Sequence, residues 1–401
     1  MRRVAITGMG AISAAGSDVT ALWEAARGGR CGMSPLAFEH ARGNRIRIAA
    51  SVRDFDPSTF LDEATLRTAD RYTQFALHAA GEAAADAGLE NRGLAGERTG
   101  IVIGTGIGGV GTIDDGCRAY YQGDRFDTHA VPRIMPSSGA SHIGIAHGIT
   151  GPTFTVTSAC ASATQAIGVA ASLVRSGIVD RVVTGGTEAC LTPATMRAWE
   201  YLRVLSPDAC RPFSTGRNGM VIGEGAGIFI LEAEDAVRAR GGRVHAWLAG
   251  YGTTGDACDM LSPDVRGAAR AMENALADAG LTAAGIGYVN AHGTGTAAND
   301  LNEAEALRAV FGAELDRVPV SSSKPIVGHA LGAAGALELA ITVMALKHQV
   351  VPPQINCRSP DPKCALNLPL DGALAHEFSA ALSNSFAFGG INASLVVTRA
   401  E

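Results

Sequence analysis

The sequence has few charged residues for its length and no excess of positive charge. Only 18% of the 401 residues are charged, and 33 basic against 39 acidic side chains leave a formal net charge of −6. A negative chain gives no basis for binding nucleic acid or an anionic membrane surface. Hydrophobic residues make up 47% of the chain, enough to fill a sizeable core. The composition therefore predicts a globular protein with two domains or one duplicated one.

Long apolar stretches and paired cysteines are also missing. The longest apolar helix, expected at residues 332–346, contains Glu338 and is too short to cross a bilayer. The first residues turn directly into a strand pattern and lack the apolar stretch of a signal peptide. The eight cysteines form no CxxC pair, which disfavours structural zinc and predicts a reducing compartment. We therefore expect a cytoplasmic protein.

A helix, a glycine, a strand and a Gly-rich loop follow one another twice along the chain, at residues 83–106 and 275–293. Glycines near residue 241 end a charged helix and suggest a boundary there. We predict two α/β halves, residues 1–240 and 241–401, with a site at their joint. Each half also contains a strand that leads into a helix, at residues 153–175 and 318–347. Each half ends in an apolar strand, at residues 227–232 and 393–398.

Cys160 lies between a strand pattern and a helix pattern. Residues 153–157 are rich in β-branched side chains, good helix formers follow, and only small residues lie between the two. At a helix start, unpaired N–H groups and the helix dipole favour an anion, so we expect a thiol pKa below the ordinary value of ~8.5. The position alone is equally compatible with an inert buried cysteine.

Two histidines lie in Gly-rich segments of the second half. His292 opens a loop in which the hydroxyls of Thr294 and Thr296 offer hydrogen-bond donors. A turn histidine without a chemical role is the alternative. His329 precedes a helix of small residues, where the helix dipole opposes a positive charge, so we predict a neutral imidazole that donates a hydrogen bond.

One lysine and one glutamate of the second half are predicted to pair. Lys324 is one of only three lysines in the chain. Glu338 follows His329 by nine residues, so the two face opposite ways on a regular helix. A buried glutamate needs a partner, and Lys324 is the candidate. Asn299 and Asp300, followed by Glu303, by contrast resemble a helix cap and its capping-box partner, so these acids need no catalytic role.

Taken together, these segments resemble the β-ketoacyl carrier-protein synthases, the condensing enzymes of fatty acid and polyketide synthesis. The resemblance spans the whole chain. It is carried by residues 157–162 (TSACAS), 290–296 (NAHGTGT), 324–335, and the apolar, Gly-rich loop predicted at 384–392. It implies an α/β thiolase-like fold with duplicated βαβαβαββ halves in five αβαβα layers. The implied partners are an acyl carrier protein and a second subunit, usually an identical one.

The resemblance implies a decarboxylative Claisen condensation. Cys160 would take an acyl chain from the phosphopantetheine of a carrier protein, with the backbone N–H groups of Cys160 and Phe388 as the oxyanion hole. His292 and His329 would bind the malonyl thioester, promote loss of CO₂ and stabilise the enolate, and Lys324 would orient them. No metal or organic cofactor is implied, because the thioesters bring the reactive groups.

The same resemblance assigns the residues that would bind substrates. Arg67, Arg125 and Arg203 would face the acidic carrier protein, although isolated surface arginines are usually only solvated charges. Ala130 stands where a bulky Phe is common, which suggests a wider tunnel. The other assigned residues are Thr294 and Thr296 for the pantetheine amides, Ile107 and Trp199 for the acyl pocket beside Ala130, and Glu338 in support of Lys324.

Several positions depart from the family pattern. Ala387 replaces a glycine that is usual beside Phe388, so a need for positive φ there would restrict movement of this loop. These departures suggest a type II polyketide, polyene or nodulation-type synthase acting on an unusual chain. The other departures are at Asn218, Met220, Asp259 and Leu261.

Other protein classes compete with this interpretation. The GxGxxG pattern at residues 104–109 suggests a dinucleotide enzyme, but it comes about one hundred residues into the chain, and no clear helix pattern follows it. A thiolase would use a second cysteine near Gly389, and a chain-length-factor subunit would lack a nucleophile such as Cys160. Two alternatives stay open: a ketosynthase-like acyltransferase, and the active subunit of a heterodimer with a chain-length-factor-like partner.

Overall fold

The computed structural model of the protein describes residues 2–38 and 43–400. The strands are β1 Val4–Ser13, β2 Ser34–Pro35, β3 Ile48–Ala49, β4 Thr99–Gly104, β5 Thr153–Val156, β6 Arg181–Glu188, β7 Gly225–Ala233, β8 Ala246–Gly255, β9 Tyr288–Asn290, β10 Val320–Ser321, β11 Val350–Val351, β12 Leu374–Ala375, β13 Ala380–Ala387 and β14 Ile391–Arg399.

Helices connect these strands. The α-helices are α1 Val19–Arg27, α2 Glu63–Thr68, α3 Arg71–Asp86, α4 Val110–Gln122, α5 Ala130–Ile134, α6 Ser138–His147, α7 Ser162–Arg175, α8 Pro193–Tyr201, α9 Glu234–Arg240, α10 Val265–Ala279, α11 Ala297–Phe311, α12 Lys324–Val327 and α13 Ala334–His348. The 3₁₀ helices are Pro57–Thr59, Ala159–Ala161, Ala283–Gly285, Gly312–Asp316 and Leu331–Ala333.

The main sheet has a symmetric strand order. Its ten strands run β5-β4-β6-β7-β1-β8-β14-β13-β9-β10, so that the five strands of the first half mirror the five of the second. In each half the two outermost pairs are parallel and the inner pairs are antiparallel. The halves join where β1 pairs with β8, through Ala5 with Trp247 and Ile6 with Ala246. Two halves were expected from the sequence, but this connection into one sheet was not.

Each half follows the predicted βαβαβαββ order. The first half reads β1-α3-β4-α6-β5-α7-β6-β7 and the second reads β8-α10-β9-α11-β10-α13-β13-β14. The charged helix α9 ends at Arg240, and Gly241 follows with φ 65°, a left-handed conformation that glycine adopts without strain. The duplication is therefore confirmed, whereas the division of the chain into domains at residue 240 stays a prediction.

Helices α7 and α13 form the central layer between the halves. α7 contacts β4 and β6 of its own half and β14 of the other, and α13 contacts β13 of its own half and β7 of the other. α13 is buried at every position from Ala334 to Leu346, as expected for a helix that is apolar all round. Leu331–His348 is the one stretch in the described ranges that is long and apolar enough to cross a membrane, and 89% of it is buried inside the molecule.

Two loop predictions are wrong. The segment 111–136 contains α4 and α5. Its mixture of Asp, Gly, Tyr and Pro suggested a loop, although Val110, Ile113 and Cys117 are spaced as on one face of a helix. The segment 384–392 is mostly the β13–β14 hairpin, with only residues 388–390 in its turn. The small and aromatic residues there hid a strand pattern, because both faces of β13 are buried.

The two halves use the same close contact between a strand and a helix. Gly10 on β1 lies against the backbone of α3, and its counterpart Gly252 on β8 lies against the backbone of α10. A Cβ at either position would overlap a helix carbonyl, of Ala79 and Ala271 respectively. Glycine at these positions is thus needed for close packing.

We predict that Gly10→Ala and Gly252→Ala each lower the free energy of unfolding by ~1–3 kcal/mol, because the helix must move away from the strand. Gly81→Ala is the matched control, since Gly81 lies within α3 with open space around it. It should raise stability by roughly 0.5–1 kcal/mol. Urea denaturation measures all three, and equal stability of Gly10→Ala and wild type would contradict the proposed contact.

Candidate active site

Cys160 lies in a strained turn where the two halves meet. It is the middle residue of the 3₁₀ helix Ala159–Ala161, directly before α7, and is 6% exposed. Ala159 has φ 49°, a conformation that residues other than glycine rarely adopt. Ser162 holds the turn: its Oγ donates to the Ala159 carbonyl at 2.7 Å and accepts from the Ser158 N–H at 2.9 Å. The strain is therefore supported by local hydrogen bonds.

A second turn of the same kind lies against the first. The 3₁₀ helix Leu331–Ala333 directly precedes α13, the counterpart of α7, and Leu331 has φ 42°. The two turns are in contact. Gly332 therefore occupies in the second half the position that Cys160 occupies in the first.

His329 contacts the sulfur of Cys160. Its Nε2 lies 3.1 Å from the Sγ atom, and its Nδ1 accepts the N–H of Leu331 at 3.3 Å. Because Nδ1 is an acceptor, the proton of the neutral ring is on Nε2, which donates toward sulfur. Burial, and secondly the positive charge of Lys324, hold the pKa of His329 well below its usual value. The predicted neutral donor is found, although its main cause is burial.

His292 is held in the same protonation state. The Nζ of Lys324 lies 3.2 Å from its Nδ1, so Nε2 again carries the proton. Burial and Lys324 hold its pKa well below the usual range. The ring centroids of His292 and His329 are 5.3 Å apart and the rings are nearly perpendicular, at 84°. Two neutral imidazoles thus present N–H donors close to Cys160.

Lys324 and Glu338 form the predicted pair. The Nζ of Lys324 lies 2.5 Å from Glu338 Oε1 and donates at 2.5 Å to the carbonyl of His292, and both side chains are completely buried. Burial raises the pKa of Glu338, and the ammonium group opposes that rise. The pair fixes the His292 backbone and ring together.

Glu303 holds the His292 loop from the other side. Its two carboxylate oxygens accept the N–H groups of His292 and Gly293, each at 2.7 Å. Asp300 accepts the N–H of Gly295 at 3.1 Å. The capping-box prediction for Asp300 and Glu303 is therefore wrong, since α11 starts after Thr296 and both acids bind the preceding loop.

The free thiol of Cys160 is not activated as the sequence suggested. Burial raises its pKa to about 12, and the positive charge of Lys324 only partly opposes this. The expected lowering by the helix start is wrong for the free protein, because removal of water from around the sulfur disfavours the thiolate more strongly.

A cavity of about 130 Å³ opens onto Cys160. Phe388 forms part of its wall, and the Phe388 ring stacks on Trp199 with centroids 6.0 Å apart. The hydroxyls of Thr294 and Thr296 lie 2.9 Å from each other in the same wall. The predicted residues that the structure brings together around this cavity are Cys160, His292, His329, Thr294, Thr296, Phe388 and Trp199.

Other predicted residues lie outside the cavity wall. Ile107 packs with Cys160 in an adjoining apolar cluster, whereas Ala130 is buried at the start of α5, away from that cluster. Arg67 is exposed and pairs with Glu63 on α2, and Arg125 is exposed between α4 and α5. Arg203 is exposed beside Val204, which lines the cavity.

Ala387 does not need a positive φ in this conformation, so the predicted restriction of the loop does not arise here. Ala387 is the last residue of β13 and pairs with Ile391. The positive φ values of the turn fall on Gly389 and Gly390, at 81° and 68°. The loop thus keeps glycine where its backbone needs it.

Sequence reasoning missed Glu188. It ends β6, is completely buried, and accepts the N–H groups of Gly106 at 2.6 Å and Gly332 at 2.9 Å. Burial raises its pKa to about 7. The available signal was an acid that follows six apolar or small residues at the end of a strand.

The Glu188 carboxylate also argues against dinucleotide binding. Helix α4 does follow the GxGxxG segment, contrary to expectation. However, the N–H groups of Gly106 and Ile107, which such a motif offers to a phosphate, already bind Glu188. Across the described residues, no group of three or more His, Cys, Asp or Glu side chains is arranged to hold a metal ion.

Comparisons with known proteins cover the whole chain. The family models "Beta-ketoacyl synthase, N-terminal domain" and "Beta-ketoacyl synthase, C-terminal domain" match residues 1–236 and 245–358. Nodulation protein E of Rhizobium sp. (strain N33) is 41% identical over 98% of both chains. The 3-oxoacyl-[acyl-carrier-protein] synthase 2 of Staphylococcus aureus (strain N315) is 38% identical over 100% of this chain and 99% of its own.

A solved structure supports the same conclusion. The ishigamide ketosynthase/chain length factor superposes with a TM-score of 0.95 at 34% identity and covers 100% of both chains. The match extends over the thiolase-like fold of both halves. The chain therefore belongs to the β-ketoacyl synthase family of acyltransferases.

Proposed function

We propose that the protein is a β-ketoacyl carrier-protein synthase that condenses malonyl carrier protein with an acyl chain held on Cys160. One observation carries the proposal: the Cys160 sulfur lies 3.1 Å from a neutral imidazole N–H, with a second such imidazole beside it. The name of the Staphylococcus aureus relative, a 3-oxoacyl-[acyl-carrier-protein] synthase, agrees with this reaction.

In the first half-reaction, the Cys160 sulfur attacks the thioester carbonyl of an acyl carrier protein. The C–S bond to pantetheine breaks, and the pantetheine sulfur leaves with the proton that Cys160 gives up. The backbone N–H groups of Cys160 and Phe388 stabilise the oxyanion. The twin turn offers an internal precedent, because the N–H of Gly332, which corresponds to that of Cys160, binds a carboxylate oxygen at 2.9 Å.

In the second half-reaction, His292 and His329 donate their Nε2–H groups to the carbonyl oxygen of the malonyl thioester. The C–C bond to the carboxylate breaks, CO₂ leaves, and its electron pair forms the enolate that the two donors stabilise. The enolate carbon attacks the acyl carbonyl on Cys160, and the C–S bond to the enzyme breaks. The sulfur leaves as a thiolate and takes a proton from water, which restores the thiol. Neutral imidazoles can serve in this step, because each ring still carries one N–H group, on Nε2, that can donate to the enolate oxygen.

The remaining assignments follow from this reaction. We propose that it needs no metal or organic cofactor, because the thioesters supply the leaving groups and the malonyl carboxylate supplies the electron pair. Thr294 and Thr296 would bind the pantetheine arm, and Arg203 would meet the acidic carrier protein at the cavity mouth, with Arg67 and Arg125 further out. The protein would act in the cytoplasm, in fatty acid or type II polyketide synthesis.

An exposed sheet edge supports a dimer. β5 pairs with β4 on one side, and its other edge has no partner strand in the ranges that the structure describes. An unpaired apolar edge is a place where a second chain adds to a sheet. Either an identical chain or a chain-length-factor-like subunit would fit, as the name of the ishigamide protein illustrates. The exposed apolar side chains on β5 and the neighbouring α4, α5 and α6 are Ile113, Tyr120, Tyr121, Val131, Ile145 and Phe154.

We predict that Cys160→Ala abolishes acyl transfer, because Cys160 is the one thiol among the described residues that line the cavity. Wild-type protein incubated with acyl and malonyl carrier proteins should show an acyl adduct and then a β-ketoacyl product by intact mass. Cys364→Ala, which removes a buried thiol outside the cavity, is the control and should behave as wild type. His292→Ala should keep the adduct and lose at least about 10²-fold in condensation.

Other results would favour the alternatives. An acyl adduct without condensation, with every chain length tried, would indicate an acyltransferase or an active subunit that lacks its partner. An adduct that persists in Cys160→Ala would contradict the assigned nucleophile. No adduct in wild type would favour a non-catalytic subunit.

We predict that alkylation of Cys160 by iodoacetamide rises about tenfold per pH unit between pH 7 and 9. Burial raises the pKa of this thiol to about 12, so the thiolate fraction is still increasing throughout that range. Peptide mass spectrometry follows the rate, with the exposed Cys31, Cys117 and Cys258 as internal controls. A plateau below pH 8 would instead indicate a thiolate already formed beside His329.

We predict that Phe154→Lys turns a dimer into a monomer, because a charge on the edge strand opposes the addition of another strand. Light scattering after size-exclusion chromatography measures the mass. Leu370→Lys replaces another exposed apolar residue, in the second half, and should leave the mass unchanged. A monomeric wild type, mixed with no partner, would count against the homodimer and leave the heterodimer as the interpretation to pursue.

A further inference from the structure

Glu188 is a buried carboxylate next to the site, and the proposed reaction does not use it. It lies at the end of β6, and the neighbouring parallel strand β4 ends in the loop that carries Ile107. Its Oε2 accepts from Gly106 and Gly332, and its Oε1 lies 3.3 Å from both the Ile107 N–H and the Thr105 hydroxyl. All four partners are neutral donors, and three of them are backbone amides.

The surroundings of this carboxylate are built for close approach. A Cβ on Gly332 would overlap both Glu188 Oε2 and the backbone of Gly106. A Cβ on Gly106 would also crowd the carboxylate. The two glycines thus allow one carboxylate to bind amides from both halves at once. Because the carboxylate is removed from water, its pKa is raised to about 7.

Three hydrogen-bonded contacts, joined by the backbone between Leu331 and Gly332, lead from Glu188 to the nucleophile. Glu188 binds the N–H of Gly332, and the preceding residue, Leu331, donates its own N–H to Nδ1 of His329. His329 in turn contacts Cys160 through Nε2. Leu331 has φ 42°, and strained backbone of this kind persists only where its surroundings hold it.

We propose that Glu188 is a positioning residue that fixes the His329 turn and the Ile107 loop against each other. Its role in catalysis rests on the proposed condensation, whereas its effect on the geometry of Cys160 does not. Loss of the carboxylate releases the amide of Gly332, so that the turn relaxes and His329 loses its orientation toward the sulfur. The Ile107 side of the acyl pocket loosens in the same step.

Two variants of Glu188 test this role. Glu188→Gln replaces one acceptor oxygen by an NH₂ group that faces backbone donors, and Glu188→Asp keeps the charge but shortens the reach by one methylene. We expect Glu188→Gln to lower both the alkylation rate of Cys160 and the kcat of its acylation by about 10- to 100-fold, the effect of a displacement of about 1 Å. Glu188→Asp should show a smaller loss. The KM for acyl carrier protein should stay within about twofold of wild type, because the docking surface is unchanged.

The control is Glu232→Gln. Glu232 lies on β7 and is an equally buried carboxylate. It forms salt bridges with Arg181 and Arg240 and does not line the cavity. Compared at equal distance below each variant's melting temperature, Glu232→Gln should keep the wild-type alkylation and acylation rates. A merely structural role for Glu188 would make the two variants behave alike.

The outcomes are distinct. A folded Glu188→Gln or Glu188→Asp protein whose Cys160 is alkylated within twofold of the wild-type rate would overturn the proposal. So would failure of both variants to fold while Glu232→Gln folds, since that result indicates a structural role alone. If wild type shows no condensation at all, the proposed function fails, but the alkylation rates still decide the role of Glu188.

Discussion

The buried ammonium group of Lys324 is the constraint on which the site depends. A charge removed from water is costly unless it is paired and hydrogen-bonded. Lys324 meets this condition through Glu338 and through the carbonyl and Nδ1 of His292. In doing so it fixes the tautomer of His292, lowers the pKa values of both His292 and His329, and partly opposes the rise in the pKa of Cys160. One cation thus fixes the tautomer of His292 and acts, second to burial, on the pKa of three reacting groups without contacting the sulfur.

The duplicated fold explains why the reacting groups meet. α7 and α13 are counterparts and pack together in the central layer, so the turns that precede them come into contact. The first half supplies Cys160 through one turn, and the second supplies His329 and His292 through the segments after β10 and β9. A site at this joint needs the packing of both halves, since neither half contains both the nucleophile and the donors.

The sequence was sufficient where a local pattern determines the structure. The repeat of helix, glycine, strand and Gly-rich loop followed from the sequence pattern, and the Lys324–Glu338 pair followed from the cost of an unpaired buried charge. The full βαβαβαββ order was implied only by the family resemblance. Reasoning failed in two other ways. In α4, Gly and Asp residues outweighed the helical spacing of Val110, Ile113 and Cys117. The pKa of Cys160 depends on burial in the surrounding core rather than on its helix. Glu188 binds amides that are distant from it in sequence. Glu303 binds amides of a nearby loop whose conformation the sequence did not predict. Neither set of partners could be identified from neighbouring residues.

The two related turns show how a duplicated fold becomes asymmetric. Each turn has a residue with positive φ followed by an amide at the start of a central helix. In the second half that amide belongs to Gly332 and is already bound by Glu188. Because a Cβ at Gly332 would overlap the carboxylate and the Gly106 backbone, no side chain can project there while Glu188 is in place. The nucleophile can therefore lie in only one of the two turns, and the other turn is used to hold His329.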